Sequence, residues 1–217
     1  VRLYLSSFRV GAAGERLGDL TRGGRRAAVI ANAIDHAPAE VREAGVQREL
    51  NDLEALGFEP HEIDLRDVPR GDHLMDLLSG FDLVWLRGGN VFLLRSALAL
   101  SGADLTLTAL LDEDALVYGG YSAGPCVLGP SLRALERCDD PAVVTDTYGT
   151  EVVWDGLGLI DFAFVPHVDS PEHPETDALG EVAEEYRRVG VPHRTLRDGE
   201  VIVVDGENET FYDETRL

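Results

Sequence analysis

Lysine is absent from this chain: all 19 basic residues are Arg, set against 40 acidic ones in 217 residues, for a formal net charge of -21. A surface so short of positive charge repels phosphate backbones and anionic lipid, which sets aside nucleic acid and membrane as partners. It also slows the approach of anionic substrates unless a local Arg patch compensates. Cysteine is nearly absent too. Cys126 and Cys138 are the only two, too few for a disulfide scaffold and not at zinc-site spacing. There is no apolar run long enough to span a bilayer. The first residues, Val1-Arg2-Leu3-Tyr4-Leu5, start a strand rather than the charged-then-apolar pattern of a signal peptide. The compartment expected from these absences is the cytoplasm. Linkers, repeats and low-complexity tracts are also missing, so the expectation is a single α/β domain over residues 1–217.

What is present is an alternation of short apolar runs and longer helical patterns. Strand candidates lie at 3–8, 27–31, 58–65, 83–86 and 115–119, with helical segments at 38–56, 74–78, 91–100 and 105–111 between them. The stretch 11–25 reads as polar and glycine-rich. Continuously apolar short strands between helices are the mark of a parallel sheet covered on both faces. The expected fold is therefore a three-layer, doubly wound, mostly parallel sheet with helices on both faces. Its ligands should bind at the carboxyl ends of the strands. Further strands are expected at 162–165 and 201–204, a helix at 175–189, and a C-terminal β-hairpin closing with 210–212 at the sheet edge.

Gly120-Tyr121-Ser122-Ala123-Gly124 fits G-x-S-x-G. That pattern places a serine on a sharp strand-to-helix turn, where a strained backbone projects the hydroxyl clear of the sheet. Small residues two positions to either side let strand and helix approach closely. The Ala123 N–H then points at the same space and can serve an oxyanion. Arg87-Gly88-Gly89-Asn90 follows the strand at 83–86, and its glycines free backbone N–H groups for a ligand. The Gly89 N–H is the candidate second oxyanion donor.

A serine hydroxyl needs a base within hydrogen-bond reach. His167 ends the strand near 162–166, and among six histidines it has the best placement. His36, His61 and His73 sit in an acidic helix entrance, a strand and a polar loop, while His173 and His193 are loop residues near the right region. The acceptor for the other ring nitrogen stays open on position alone among Asp198, Asp169, Asp139, Asp140 and Glu200.

Together, Ser122, Gly88-Gly89-Asn90 and His167 resemble the peptidase E family of serine peptidases (family S51, the α-aspartyl dipeptidases), whose fold is related to class I glutamine amidotransferases. The family's Gly-Gly-Asn-Thr-Phe stretch reads Gly88-Gly89-Asn90-Val91-Phe92 here. Its Trp-Ser-Ala-Gly turn reads Tyr121-Ser122-Ala123-Gly124, with Gly129-Pro130 following. Its Asn-Pro-His reads Val165-Pro166-His167. The family's acid is a Glu in Leu-Pro-Glu-Gly before an apolar strand; Leu196-Arg197-Asp198-Gly199 matches it, so the resemblance selects Asp198. Asp139-Asp140-Pro141 resembles the family's Asn-Asp-Met-Pro and offers an alternative. Aspartyl-specific members carry an Arg early in the helix after the His. The stretch 175–185 here has none and five acids, which predicts an acidic lining unsuited to an aspartyl side chain.

The resemblance implies a Ser122-His167-Asp198 triad, an oxyanion hole of the Gly89 and Ala123 amides, and substrate contacts at Gly88 and Asn90. The implied partner is a small peptide substrate, and a homodimer stays open. No metal or organic cofactor is implied. A second reading is a cyanophycinase-like cleaver of aspartyl-arginine linkages, or another amidase or esterase. A third is a non-catalytic amidotransferase-like binding domain. Amidotransferases proper need Cys where Ser122 stands, and Cys126 lies too far into the helix to substitute.

Overall fold

The computed structural model describes residues 1–68 and 71–213. Its strands are β1 (Arg2–Ser6), β2 (Arg26–Ile30), β3 (Glu59–Glu62), β4 (Leu83–Leu86), β5 (Val117–Tyr121), β6 (Ala163–Val165), β7 (His193–Thr195), β8 (Val201–Asp205) and β9 (Asn208–Tyr212). Seven of them form one sheet in the order β3-β2-β4-β5-β1-β8-β9. The first five are mutually parallel, and the β8-β9 hairpin closes the edge antiparallel. This is the doubly wound, mostly parallel sheet that the strand and helix alternation predicts.

Side chains alternate across that sheet with the period of two that a strand dictates. Leu3, Leu5, Ala28, Ile30, Val84, Leu86 and Tyr118 enter one core. Tyr4, Ala27, Val29, Leu83, Trp85 and Val117 enter the other. Two helices cover the second face: α1 (Glu15–Leu20), through Leu17 and Leu20, and α2 (Ala39–Ala55), through Leu53. The first face is covered by α3 (Asp72–Leu78), α4 (Val91–Ser101), α5 (Ala103–Asp112), α6 (Ala123–Cys126), α7 (Ala142–Tyr148) and α8 (Thr176–Val189). A helix that is apolar all round belongs in a core, and α4 is buried along nearly its whole length. Among the described residues no single helix is long and apolar enough to cross a membrane; α4 and α5 together are, but they bend by 85°. Gly102, at φ 80°, forms that break.

Three departures from the sequence expectations bear on the site. The strand expected at 115–119 runs two residues later, so Gly120 and Tyr121 are strand residues and Ser122 follows directly. The stretch 11–25 holds α1, anchored by buried Leu17 and Leu20. The strand carrying His167 is not in the main sheet: β6 pairs with β7 in a separate two-stranded sheet. His167 therefore reaches the site by packing of β6 against α6 rather than by sharing a sheet edge. The Cys126 thiol donates to the Phe164 carbonyl at 3.3 Å across that contact.

Candidate active site

β1, β4 and β5 are parallel neighbours, so their carboxyl ends open at one edge of the sheet. Ser122 is the first residue after β5 and caps α6 with φ 52° and ψ -111°. A non-glycine residue held there stores backbone strain. Its N–H donates to the Ser6 carbonyl at 3.2 Å, which ties the turn to β1. The flanking glycines are sterically required. A Cβ on Gly120 would lie 2.5 Å from the Leu86 carbonyl oxygen, and one on Gly124 would lie 2.6 Å from the same atom. A Cβ on Gly88 would meet the Tyr121 ring at 2.7 Å and the Ser122 Cβ at 2.9 Å. Gly89 sits at φ 143°, with Ala33 O only 2.7 Å from where its Cβ would be. Among the described residues the amides of Gly88, Gly89 and Ala123 find no backbone or side-chain acceptor. Free amides at the head of a helix and in a glycine loop are suited to a developing negative charge.

His167 is 1% exposed and held at φ 59°. Its Nδ1 lies 2.6 Å from Asp198 Oδ1. A carboxylate only accepts, so Nδ1 carries the proton at this contact and Nε2 keeps its lone pair. Ser7, fully buried just past β1, joins both residues: its Oγ accepts the His167 N–H at 2.9 Å and donates to Asp198 Oδ1 at 3.1 Å. The Asp198 N–H in turn donates to Ser170 Oγ at 2.8 Å. Burial holds the His167 pKa below the ordinary imidazole value. The Asp198 hydrogen bond opposes that, and the neighbouring His173 adds to it. That lowering favours the neutral ring, the form a proton acceptor needs.

Ser122 and His167 line one cavity of about 240 Å³ together with Gly88 and Gly89. No hydrogen bond joins the Ser122 hydroxyl to the His167 ring in this conformation. His173 lies on the base, the two rings stacked with centroids 3.5 Å apart and planes 5° from parallel. Phe8 meets both rings edge-on, at 5.8 Å and 5.5 Å. His167, His173 and Glu175 have donor atoms within 4.8 Å of one another. Stacked rings aim their in-plane lone pairs in parallel, however, and cannot converge on one ion at the roughly 2.0–2.1 Å that zinc requires.

Not every expected residue reaches the cavity. Asn90, expected at the substrate, caps α4. Its Oδ1 accepts from Phe92 and Leu93 N–H, both at 3.0 Å, and its Nδ2 donates to the Asp140 carbonyl. Asp139 accepts the Val91 N–H at 2.8 Å at the head of the same helix. Its pKa is pushed up to about 7, first by burial, with the Val91 bond opposing and Glu175 adding. Asp169 and Glu200 both turn to Arg197. Of the open acids, only Asp198 contacts the His167 ring. The acidic lining expected from 175–185 reduces to Glu175, since Asp177, Glu181, Glu184 and Glu185 line a different depression with Arg137 and Arg188. Arg9, Arg48 and Arg87 line the cavity instead. Sequence reading missed Ser7, Ser170 and these arginines. The one available signal was Ser6-Ser7, a polar pair ending an apolar strand.

An α/β sheet with a strained serine at a strand-to-helix turn, free amides around it, and a buried His167 paired with a partly exposed Asp198 has the geometry of the G-x-S-x-G turn. The profile of peptidase family S51 matches residues 16–211, and the chain belongs to that family. Peptidase E of Streptomyces coelicolor is 35% identical over 150 residues, covering 67% of this chain and 58% of that one. An uncharacterized peptidase of Listeria innocua is 31% identical over 120 residues, covering 54% of each. The chain thus spans little more than half the length of these curated relatives. Among solved structures, a candidate peptidase E protein from Listeria monocytogenes EGD-e superposes with a TM-score of 0.77 at 22% identity, over 100% of this chain and 98% of that one. A peptidase from an acI-B1 Actinobacterium gives 0.67 at 17% identity, over 98% and 87%. At such identities these two structures bear on the fold.

Proposed function

We propose that this chain is a serine peptidase of short peptides. Ser122 attacks the scissile carbonyl while His167 Nε2 takes its proton, and Asp198 holds the ring and stabilises the imidazolium that forms. The Gly89 and Ala123 amides receive the oxyanion, each worth on the order of 3 kcal/mol of barrier. His167 then returns the proton to the leaving amine, and water attacks the acyl-enzyme by the same relay in reverse. The observation that carries this reading is the 2.6 Å His167–Asp198 contact beside a cavity that the strained Ser122 shares. A cavity of about 240 Å³ supports a substrate of about two residues rather than a folded protein.

The test is labelling with a fluorophosphonate, followed by mass mapping of the modified peptide. Modification at Ser122, lost in Ser122→Ala together with hydrolysis of a dipeptide panel, supports the assignment. Full hydrolysis by Ser122→Ala would overturn it.

A further inference from the structure

Glu49 is a buried acid that the triad does not use. It lies on α2 and is 1% exposed. Its Oε2 accepts the Trp85 indole N–H at 3.1 Å, and its Oε1 accepts the Tyr121 hydroxyl at 2.8 Å. Those donors belong to β4 and β5, so the carboxylate is pinned across the two strands whose ends carry Gly88-Gly89 and Ser122. A third group faces it: Arg87 Nε lies 3.4 Å from Glu49 Oε1, out of line for a hydrogen bond. Space for the guanidinium comes from a glycine. A Cβ on Gly45, inside α2, would stand 3.3 Å from Arg87 Nε and 3.5 Å from Nη2. So placed by charge and by space, Arg87 donates from Nη1 to the Gly88 carbonyl at 2.5 Å.

That carbonyl belongs to the Gly88–Gly89 peptide, and the N–H at the other end of the same peptide is Gly89's. In a planar trans peptide the C=O and N–H point in opposite directions. Holding the Gly88 oxygen on Arg87 therefore turns the Gly89 N–H the other way, where no protein acceptor meets it among the described residues. The backbone is tied on either side, Arg87 N–H to the Ile30 carbonyl at 3.0 Å and Asn90 N–H to the Ala33 carbonyl at 2.9 Å. Among the described residues the peptide between them has the Arg87 bond alone. A Gly–Gly peptide is also easily turned over, because neither residue has a Cβ to restrict it. Close packing imposes glycine at both positions, so the restraint has to come from outside the pair.

We propose that Arg87 and Glu49 are positioning residues that hold the Gly88–Gly89 peptide with the Gly89 amide turned toward the oxyanion. Arg87 acts on the peptide directly. Glu49 acts through Arg87, and through Tyr121, whose ring lies against Gly88. The inference rests on the reading of Ser122 as nucleophile and of the Gly89 amide as an oxyanion donor.

Arg87→Met removes the donor and keeps much of the bulk; Glu49→Gln keeps the acid's shape and removes its charge. The first readout needs no activity: the NMR order parameter of the Gly89 N–H in the free protein. It should be that of rigid backbone in the parent, about 0.85, and fall toward about 0.6 in Arg87→Met. The second is the kinetic split on a cleaved dipeptide. An amide that serves the transition state acts on kcat, which should fall roughly 10- to 100-fold in Arg87→Met with KM little changed. Glu49→Gln should show a smaller loss of the same kind. The double variant should be no worse than Arg87→Met, since members of one relay are not additive. If Arg87→Met does not fold, Glu49→Gln carries both readouts. A Gly89 amide as rigid in the variants as in the parent overturns the proposal. So does a loosened amide with parental kcat, or a loss confined to KM. Failure of the Ser122 reading shows differently: the native chain gives no fluorophosphonate adduct and no hydrolysis, while the order parameter still falls in Arg87→Met.

Discussion

Ser7→Ala is the substitution that most sharply separates a designed support from incidental packing. Ser7 is fully buried, and among the described residues its single oxygen is the side-chain partner of the His167 N–H while also donating to Asp198 Oδ1. Removing it leaves a buried donor unsatisfied, at a cost of about 1–3 kcal/mol. In a chain of this size each 1 kcal/mol moves the melting temperature by roughly 2–4 °C, so calorimetry should show a fall of about 2–12 °C. The same oxygen helps hold His167 at φ 59°, a conformation that a non-glycine residue abandons readily. With that restraint gone, the ring shifts relative to Ser122, and kcat on a cleaved dipeptide should drop by roughly 10- to 100-fold with KM little changed. If both the melting temperature and kcat stay within error of the parent, the bridging role is wrong. If only the melting temperature falls, Ser7 serves the fold and not the base.

Asp198→Asn keeps the side-chain shape but presents an amide to His167 Nδ1, which favours the wrong tautomer. A fall in kcat of roughly 10⁴-fold is expected, and near-parental turnover would return the acid role to another residue. The pH profile has a defined sign as well. The His167 pKa is lowered by burial, with the stacked His173 adding to it, so the acid limb of kcat/KM should lie below the ordinary imidazole value of about 6.5. His173→Phe keeps a stacked ring and removes the imidazole whose proximity lowers the His167 value, and should move that limb upward. A limb at or above 6.5 in the parent would refute the assignment. The same depressed pKa makes His167 a source of stability that is present above the unfolded value of about 6.5 and lost as pH falls through the folded one. Thermal scans on the acid side should show that decline, reduced in a His167→Gln background.

Much of the sheet and part of the site are legible in the sequence. The parallel sheet is, because strands buried on both faces must be apolar throughout, and 83–86 and 27–31 can be little else. The nucleophile turn was legible too, because Gly120 and Gly124 are the only residues that fit against the Leu86 carbonyl. That is a backbone-level demand, and glycine is written openly in a sequence. The strand of His167 was read into the main sheet and lies outside it. Apolar runs show that a segment is buried, not which neighbour it pairs with. Asn90 was read toward the substrate but caps α4, since a short polar side chain before a helix satisfies the orphan N–H groups there.

What the chain determines by itself is therefore the fold class, the family and the identity of the strained serine, since periodicity and glycine spacing are local properties. Position along the chain left five acids open for His167 and the resemblance singled out Asp198; only the tertiary structure brings Asp198 to the ring, has Ser7 bridge the pair, and lines the cavity with arginines rather than the acids of 175–185. Charge and hydrogen-bonding partners are chosen across distances in sequence, 160 residues between Ser7 and His167 and 31 between His167 and Asp198. No local pattern records such distant contacts, because the selection is made by packing.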